Sequence, residues 1–195
     1  MPLAEAPLVG HSVGNFRLVA KIGGGGTSEV YLAEQHSVGT RVAIKTLLPR
    51  IAANQDHVQR FFNEAIAVSE VRHAGVVRIF DAGFMSCGRA YLVMEYLDGE
   101  TLTCRIRRAG RLPLAHIAEV ARQISTILEA THQAGITHRD LKPDNIFLVP
   151  DAELDSGERV KLLDFGIAKL AASRLTSTSI GAMGTPDYMA PEQWH

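Results

Sequence analysis

Cysteine is scarce in this chain: Cys87 and Cys104 are the only two in 195 residues, and they form neither a metal-ligand spacing nor a disulfide framework. That scarcity fits a reducing, cytoplasmic setting. An excess of one charge is also lacking. Twenty Lys and Arg stand against 21 Asp and Glu, and the formal net charge of −1 argues against a nucleic-acid binder working through bulk electrostatics. No apolar run approaches the ~20 residues a membrane helix requires, so no membrane segment is expected. No basic segment precedes an apolar core at the N-terminus, as a signal peptide would need. Fixed-period repeats and low-complexity tracts are absent too. What remains is an ordinary composition, 46% hydrophobic and 21% charged, on a chain long enough for one good-sized domain or two small lobes.

Residues 1–15 are small and Pro-containing and are expected to be loosely held. Strands are predicted at 16–22, 29–33, 41–45, 76–80 and 91–95, with a glycine turn at 23–26 and Gly39 in a connection. Asp56 is expected to cap a helix running to about Arg72, in which Val58, Phe61, Phe62, Ala65, Val68 and Val71 recur at helical spacing. A polar hinge at Asp98-Gly99 separates this part from a long amphipathic helix over 114–134, with Ile117, Val120, Ala121, Ile124, Ile127 and Leu128 on one face. Short strands at 146–149 and 160–163 follow, and 164–195 reads mostly as loop. Five strands with one inserted helix thus form a first lobe over 16–97, and a mainly helical second lobe covers 98–195.

Several stretches carry chemistry. In Gly23-Gly-Gly-Gly-Thr-Ser-Glu-Val30 the glycines allow a phosphate to approach the backbone closely, although the same run equally suits a flexible hairpin turn. A Walker A loop is excluded because no Gly-Lys-Ser/Thr is present, and a dinucleotide fold because a strand rather than a helix comes next. Lys45 lies near the end of an apolar strand, on the face of Ala43 and Leu47. Glu64 falls within the apolar stripe of its helix, where a carboxylate without a partner costs several kcal/mol, and Lys45 is its natural partner. Asn145 precedes one short strand and Asp164 ends the other. A hairpin of the two would bring a carboxylate and an amide carbonyl together, hard oxygen donors of the kind Mg²⁺ takes along with phosphates.

The densest run is His138-Arg-Asp-Leu-Lys-Pro-Asp-Asn145, which resembles the catalytic loop of protein kinases. Val42-Ala-Ile-Lys45 resembles their phosphate-holding strand, and Asp164-Phe-Gly166 and Ala190-Pro-Glu192 the two ends of their activation segment. The glycine loop resembles theirs as well, with Ser28 where a third glycine is usual. Five motifs in the right order, over roughly 16–192, look most like the eukaryotic-like (Hanks-type) serine/threonine kinases of bacteria.

The resemblance implies a fold and a set of roles. The fold is α+β and bilobal, with a five-stranded antiparallel sheet plus one helix in the first lobe and an incomplete, mainly helical second lobe. The cofactors implied are ATP and Mg²⁺, and the partners are protein substrates bearing Ser or Thr hydroxyls. Asp140 would orient the hydroxyl and accept its proton, Lys142 would neutralise the phosphoryl group in transfer, and Asn145 and Asp164 would hold metal. Lys45, fixed by Glu64, would hold phosphate oxygens beneath Gly23, Gly24, Gly25, Gly26, Thr27 and Ser28. Ile22, Val30 and Ala43 would cover the base and Phe147 would lie under it, with Met94 as gatekeeper and main-chain groups of Glu95 and Leu97 on the adenine edge. His138 would anchor the loop, and Pro143 would stiffen its bend. Lys142 and Gly184-Thr-Pro-Asp-Tyr188 favour Ser/Thr over Tyr as acceptor, with Thr185 contacting Asp140 and Lys142. Arg139 suggests a pocket for a phosphorylated residue, which Thr176, Ser177, Thr178 or Ser179 would supply by autophosphorylation.

In the family further helices follow the activation segment, one of them carrying an Arg that pairs with the Glu of Ala-Pro-Glu. The sequence ends at Glu192-Gln-Trp-His195, so a fragment or truncated product is expected, with Glu192 unpaired and the 114–134 helix partly uncovered. The alternative to an active kinase is therefore a catalytically impaired ATP-binding scaffold, or a pseudokinase interaction module. The last is disfavoured by the presence of Lys45, Glu64, Asp140, Asn145 and Asp164. A homodimer through the first lobe, and a membrane anchor beyond His195 in a longer parent, are left open.

Overall fold

Alternation of apolar and polar side chains from Phe16 onward builds the first sheet of the computed structural model, which describes residues 8–165 and 186–194. The chain divides into two units, residues 1–65 with 78–97 and residues 66–77 with 98–195. In the first unit, strands β1 (Ser12–Val13), β2 (Phe16–Gly24), β3 (Ser28–Gln35), β4 (Arg41–Leu47), β5 (Ile79–Phe84) and β6 (Ala90–Glu95) form one antiparallel sheet in the order β1-β2-β3-β4-β6-β5. A four-residue helix α1 (Pro49–Ala52) and the long helix α2 (Gln55–Ser69) lie between β4 and β5.

Period-2 alternation along β4 separates two cores. Val42 and Ile44 point to one face with Leu18, Tyr31, Ala33 and Val93, closed by Leu8 and Val13. Leu47 points to the other face and packs with Leu92 and Ala90 against Phe61 and Ala65 of α2. Lys45 alternates onto this second face. The burial of α2 on the sheet thus follows from the apolar stripe read in its sequence.

Three expectations for the first unit are corrected. The sheet has six strands rather than five, because Ser12–Val13 pairs with Phe16 and Arg17 and Val13 is 3% exposed. A two-residue strand is too short for any periodic signal. The predicted strand over 76–80 is displaced to Ile79–Phe84. The apolar run there is divided: Val76 and Val77 are buried in the second unit, where Val76 forms a parallel bridge to Leu162. Asp56 does not cap α2. The Asn54 side chain accepts the Asp56 N–H at 2.8 Å, which leaves Asp56 in the first turn, where the helix dipole favours a carboxylate.

In the second unit, β7 (Glu100–Thr101), β8 (Ile146–Pro150) and β9 (Glu158–Leu162) form a small antiparallel sheet. Helix α3 (Leu102–Ala109) begins on Thr101, whose hydroxyl accepts the Cys104 N–H at 3.2 Å. Its three arginines mask the apolar period in sequence, and it has no counterpart among the predicted elements. Helix α4 (Leu114–Gln133) buries Val120, Gln123, Ile127 and Thr131, spaced for one helical face. The Gln123 side chain works as a strand partner: its oxygen accepts from Val160 N at 2.8 Å, and its amide donates to Glu158 O at 3.0 Å. Arg105 ties α3 to the same strand, bonding Glu100 at 2.6 Å and Glu158 at 2.5 Å. Arg108 and then Arg105 hold the Glu100 carboxyl down at about 2. These ties fix the strand that leads to Asp164. Leu114 and Ile117 on α4 are 81% and 48% exposed, beside an apolar groove of about 580 Å³ between α3 and α4. Among the described residues no helix is long and apolar enough to cross a membrane.

Candidate active site

The glycine stretch of the first unit joins β2 to β3 as a tight turn. Gly24 pairs with Glu29, and Gly25 N donates to Ser28 O at 2.9 Å. Residues 23–27 are exposed, whereas Ser28 is buried. None of the four glycines has a left-handed φ. A Cβ built on Gly25 or Gly26 would meet nothing within 4 Å, so nothing in the chain itself demands glycine there. The loop is anchored from behind, since Leu48 N donates to Thr27 O at 2.9 Å and Arg50 Nη2 to Gly26 O at 2.7 Å.

Val30 lies opposite Lys45, and Ala43 opposite Met94, across neighbouring strands. Lys45 and Glu64 are both half-buried and both engaged. They stand on elements that pack together, Lys45 on the face of β4 that meets α2, and Glu64 on α2 between Phe61 and Ala65. At the end of β6 the Glu95 N–H donates to Arg78 O at 3.0 Å, and its carboxylate accepts from Arg78 N at 2.8 Å. Leu97 follows, half-buried.

The catalytic-loop stretch of the second unit is held from within. His138 is 2% exposed, and its Nε2 lies 3.0 Å from Leu163 O. A carbonyl can only accept, so Nε2 carries the proton and Nδ1 faces the Asp140 N–H at 3.4 Å. Burial pushes the His138 imidazole below its ordinary value, against the smaller opposing effects of the Leu163 carbonyl and of the Asp140 and Asp164 carboxylates. This neutral ring, 4.6 Å from the Phe165 ring, is a spacer rather than an acid. Both the Asp140 and the Asp164 carboxylates act on this ring.

Around that spacer the polar groups converge. Asp140 N donates to His138 O at 2.9 Å across a tight turn that holds Arg139 at φ 60°. The buried Asn145 donates its Nδ2 to Asp140 O at 2.8 Å and to Asp140 Oδ2 at 3.1 Å, and Lys142 Nζ stands 3.4 Å from the same Oδ2. With its amide nitrogen so engaged, Asn145 keeps its carbonyl oxygen for another ligand. Pairing of β8 with β9, extended by Leu163 N to Asn145 O at 2.9 Å, brings Asn145 and Asp164 to one end of the hairpin. Asp164 is exposed at φ 48°. Among the described residues no group of three or more His, Cys, Asp or Glu could hold a metal. One carboxylate and one amide oxygen suit Mg²⁺ only when phosphate oxygens complete its shell. Phe147 is half-buried on β8, with Gly99 beside its ring: a Cβ at Gly99 would come 2.1 Å from Leu148 O and 3.2 Å from the Phe147 ring.

Thr185, Gly166 and the cluster Thr176, Ser177, Thr178 and Ser179 lie outside the described residues. Sequence reasoning passed over Gln193, whose amide donates to Arg139 O at 2.9 Å and whose Oε1 accepts from Ala190 N at 3.1 Å, tying the end of the activation segment to the catalytic loop. It also passed over Gln123, though a polar residue inside an apolar helical stripe is a readable signal.

Comparison with known proteins identifies the family. The protein kinase domain family matches residues 16–194. The serine/threonine-protein kinase Pkn1 of Myxococcus xanthus is 46% identical over 98% of this chain and 27% of its own length. The kinase PknA of Mycobacterium tuberculosis is 38% identical over 96% of this chain and 43% of its own length. The chain therefore spans less than half of either relative. Among solved structures, the kinase domain of Mycobacterium tuberculosis PknI is similar with a TM-score of 0.68 and 26% identity, covering 83% of this chain and 64% of that one. A helical second lobe built on a short β8–β9 hairpin, a curled first-lobe sheet and an ordered run of motifs thus coincide with sequence similarity over nearly all of the chain, which belongs to the protein kinase domain family, among the Hanks-type serine/threonine kinases of bacteria.

Proposed function

We propose that this chain transfers the γ-phosphoryl group of ATP to Ser or Thr hydroxyls of protein substrates. The observation that carries the reading is the grip on Asp140, whose Oδ2 is held between Asn145 Nδ2 at 3.1 Å and Lys142 Nζ at 3.4 Å, with its backbone fixed by His138. A carboxylate fixed this way can meet a hydroxyl without reorganising. In the reaction, Asp140 accepts the hydroxyl proton as the oxygen attacks the γ-phosphorus. The bond from that phosphorus to the β,γ-bridging oxygen breaks, and ADP leaves. Lys142 neutralises the phosphoryl oxygens during transfer. The Asn145 carbonyl and the Asp164 carboxylate would hold Mg²⁺, which when bound cancels phosphate charge. Lys45, fixed by Glu64, and the backbone of residues 23–28 would hold the phosphates. Ile22, Val30, Ala43 and Phe147 would enclose the base. Because the Glu95 N–H already serves Arg78, Glu95 would offer the adenine its carbonyl, and Leu97 its N–H.

The decisive test is transfer from radiolabelled ATP by this chain and by Asp140→Asn. Label on a protein acceptor with the native chain alone is expected. Binding of ATP and Mg²⁺ without transfer would keep the nucleotide site and remove the enzyme. Regulation by phosphorylation among Thr176 to Ser179 belongs to the same proposal, supported by the exposed Arg139 next to Asp140. Mass spectrometry after incubation with ATP should find phosphate between residues 171 and 185, and its absence there counts against that regulation.

A further inference from the structure

The peptide that joins Arg139 to Asp140 is gripped at both ends. Its N–H donates to His138 O at 2.9 Å, which closes a three-residue turn with Arg139 in the middle at φ 60°. A turn of this kind with positive φ at its centre is the rare, strained form, and a residue other than glycine adopts it only where its surroundings compel it. From inside, His138 bonds Leu163 O and Asn145 bonds Asp140 O. From outside, the tie comes from the far end of the chain: Gln193 Nε2 donates to Arg139 O at 2.9 Å, across 54 positions of sequence.

Gln193 is itself oriented for this contact. It lies in a short 3₁₀ turn over Pro191–Trp194, where its backbone N–H donates to Ala190 O at 2.9 Å. Its side-chain Oε1 accepts from Ala190 N at 3.1 Å. A backbone N–H can only donate and a carbonyl can only accept, so both partners set the amide the same way round. With the oxygen on Ala190, the nitrogen is turned to Arg139 O. An exposed, neutral bond adds little to global stability. Its place is what gives it weight. If the Arg139–Asp140 peptide turns about its axis, Asp140 N leaves His138 O, and the turn that aims Asp140 opens. The Asp140 Oδ2 stands 3.1 Å from Asn145 Nδ2 and 3.4 Å from Lys142 Nζ, and a misplacement of about 1 Å in such a group costs about a hundredfold in rate.

We propose that Gln193 is a positioning residue for phosphoryl transfer. Its amide holds the Arg139–Asp140 peptide from outside and so ties the aim of the Asp140 carboxylate to the seating of residues 190–193. The role is indirect, through the peptide. It rests on Asp140 being the proton acceptor, and adds that the end of the activation segment governs where that acceptor points.

Two variants separate the bond from charge. Gln193→Met removes both donor and acceptor and adds no charge. Gln193→Glu keeps an oxygen for Ala190 N and sets a second oxygen against Arg139 O, so that two acceptors face each other. Native chain and variants are compared by transfer from radiolabelled ATP to dephosphorylated casein, by melting temperature and by amide NMR. In Gln193→Met, kcat should fall about threefold to tenfold, the worth of one hydrogen bond, with KM for ATP within about twofold of native. In Gln193→Glu the fall should be about tenfold or more, because a repulsion replaces the bond. The melting temperature should stay within a few degrees in both. The Asp140 backbone amide and the Asn145 side-chain amide should shift in both, while the Val160 amide, held by Gln123 in the core of the same unit, stays fixed.

An unchanged kcat in Gln193→Met, a loss confined to Gln193→Glu, or Asp140 and Asn145 signals that stay put in both variants overturns the proposal. A fall in kcat accompanied by movement of Val160 and a lower melting temperature overturns it too, since Gln193 is then only a structural residue. If the native chain transfers no phosphate, the reading of the reaction fails by itself, and the NMR shifts alone decide whether Gln193 holds Asp140.

Discussion

Residues 23–28 and residues 138–145 are the two loops of the proposed site, yet the first is exposed from Gly23 to Thr27 while the second buries His138 and Asn145. The glycine loop contains no left-handed residue and leaves open space around Gly25 and Gly26. In the described residues, the only non-glycine positions with positive φ are Arg139 and Asp164, at 60° and 48°. Each costs about 1 kcal/mol, and a web of bonds from His138, Asn145 and Leu163 offsets it. One loop is shaped by the chain before any ligand arrives. In the other, nothing in the chain accounts for the glycines at 25 and 26.

The sharpest way to break this contrast is to disable the preorganised loop without unfolding it. Asp140→Asn keeps the shape of the side chain and its contact with Asn145, and removes the proton acceptor. Phosphoryl transfer should fall by roughly 10²- to 10⁴-fold, the usual contribution of a positioned base, with a melting temperature within a few degrees of the native chain. Collapse of the fold instead would make Asp140 a structural residue first.

The next largest effect belongs to Gly99. Its absent Cβ is what lets the backbone lie against Leu148 O, a contact of 2.1 Å for any larger residue, and backbone cannot swing aside as a side chain would. Gly99→Ala should destabilise the second unit by about 1–3 kcal/mol, read as a lower urea midpoint. An unchanged midpoint would show that the segment is looser than the packing beside Phe147 implies.

Much of this was legible in sequence, for physical reasons that differ by region. The strands around Lys45 and the stripe of α2 announce themselves because one face of each is buried and the other is not. The candidate catalytic loop stands out in the sequence by residue type, since few other tasks gather Asp140, Lys142 and Asn145 within six positions. What escaped were features set by long-range partners. Strand β1 is two residues long, and Val76 looks like any strand residue until its bridge to Leu162 is seen. Asn54 and Asp56 are both good caps by type, and only the helix start decides between them. Gln193 and Arg50 act on carbonyls of residues 139 and 26, and sequence carries no record of such pairings.

Acidification probes the same contrast more gently. Burial lowers the His138 imidazole, and burial lowers His73 in the same direction. The unfolded chain therefore binds more protons than the folded one below the ordinary histidine range, so stability is complete above about pH 6.5 and declines as pH falls beneath it. The melting temperature should drop between pH 7 and pH 5. In His138→Gln the remaining slope, carried by His73, should be shallower. An identical slope in that variant would mean the ring takes up its proton inside the folded loop.

The smallest effect on the fold is expected where nothing in the chain explains the residue. Gly25 keeps its N–H on Ser28 O, has no left-handed φ, and has no atom within 4 Å of a new Cβ. Gly25→Ala should therefore leave stability within about 0.5 kcal/mol of the native value. If phosphates approach this backbone closely, the added methyl group meets them equally in the ground and transition states, so KM for ATP should rise several-fold with kcat nearly unchanged. A KM that stays put would return the stretch to the hairpin turn that its sequence also allows. Loss of stability instead would mean that the turn is strained in a way its φ angles do not reveal.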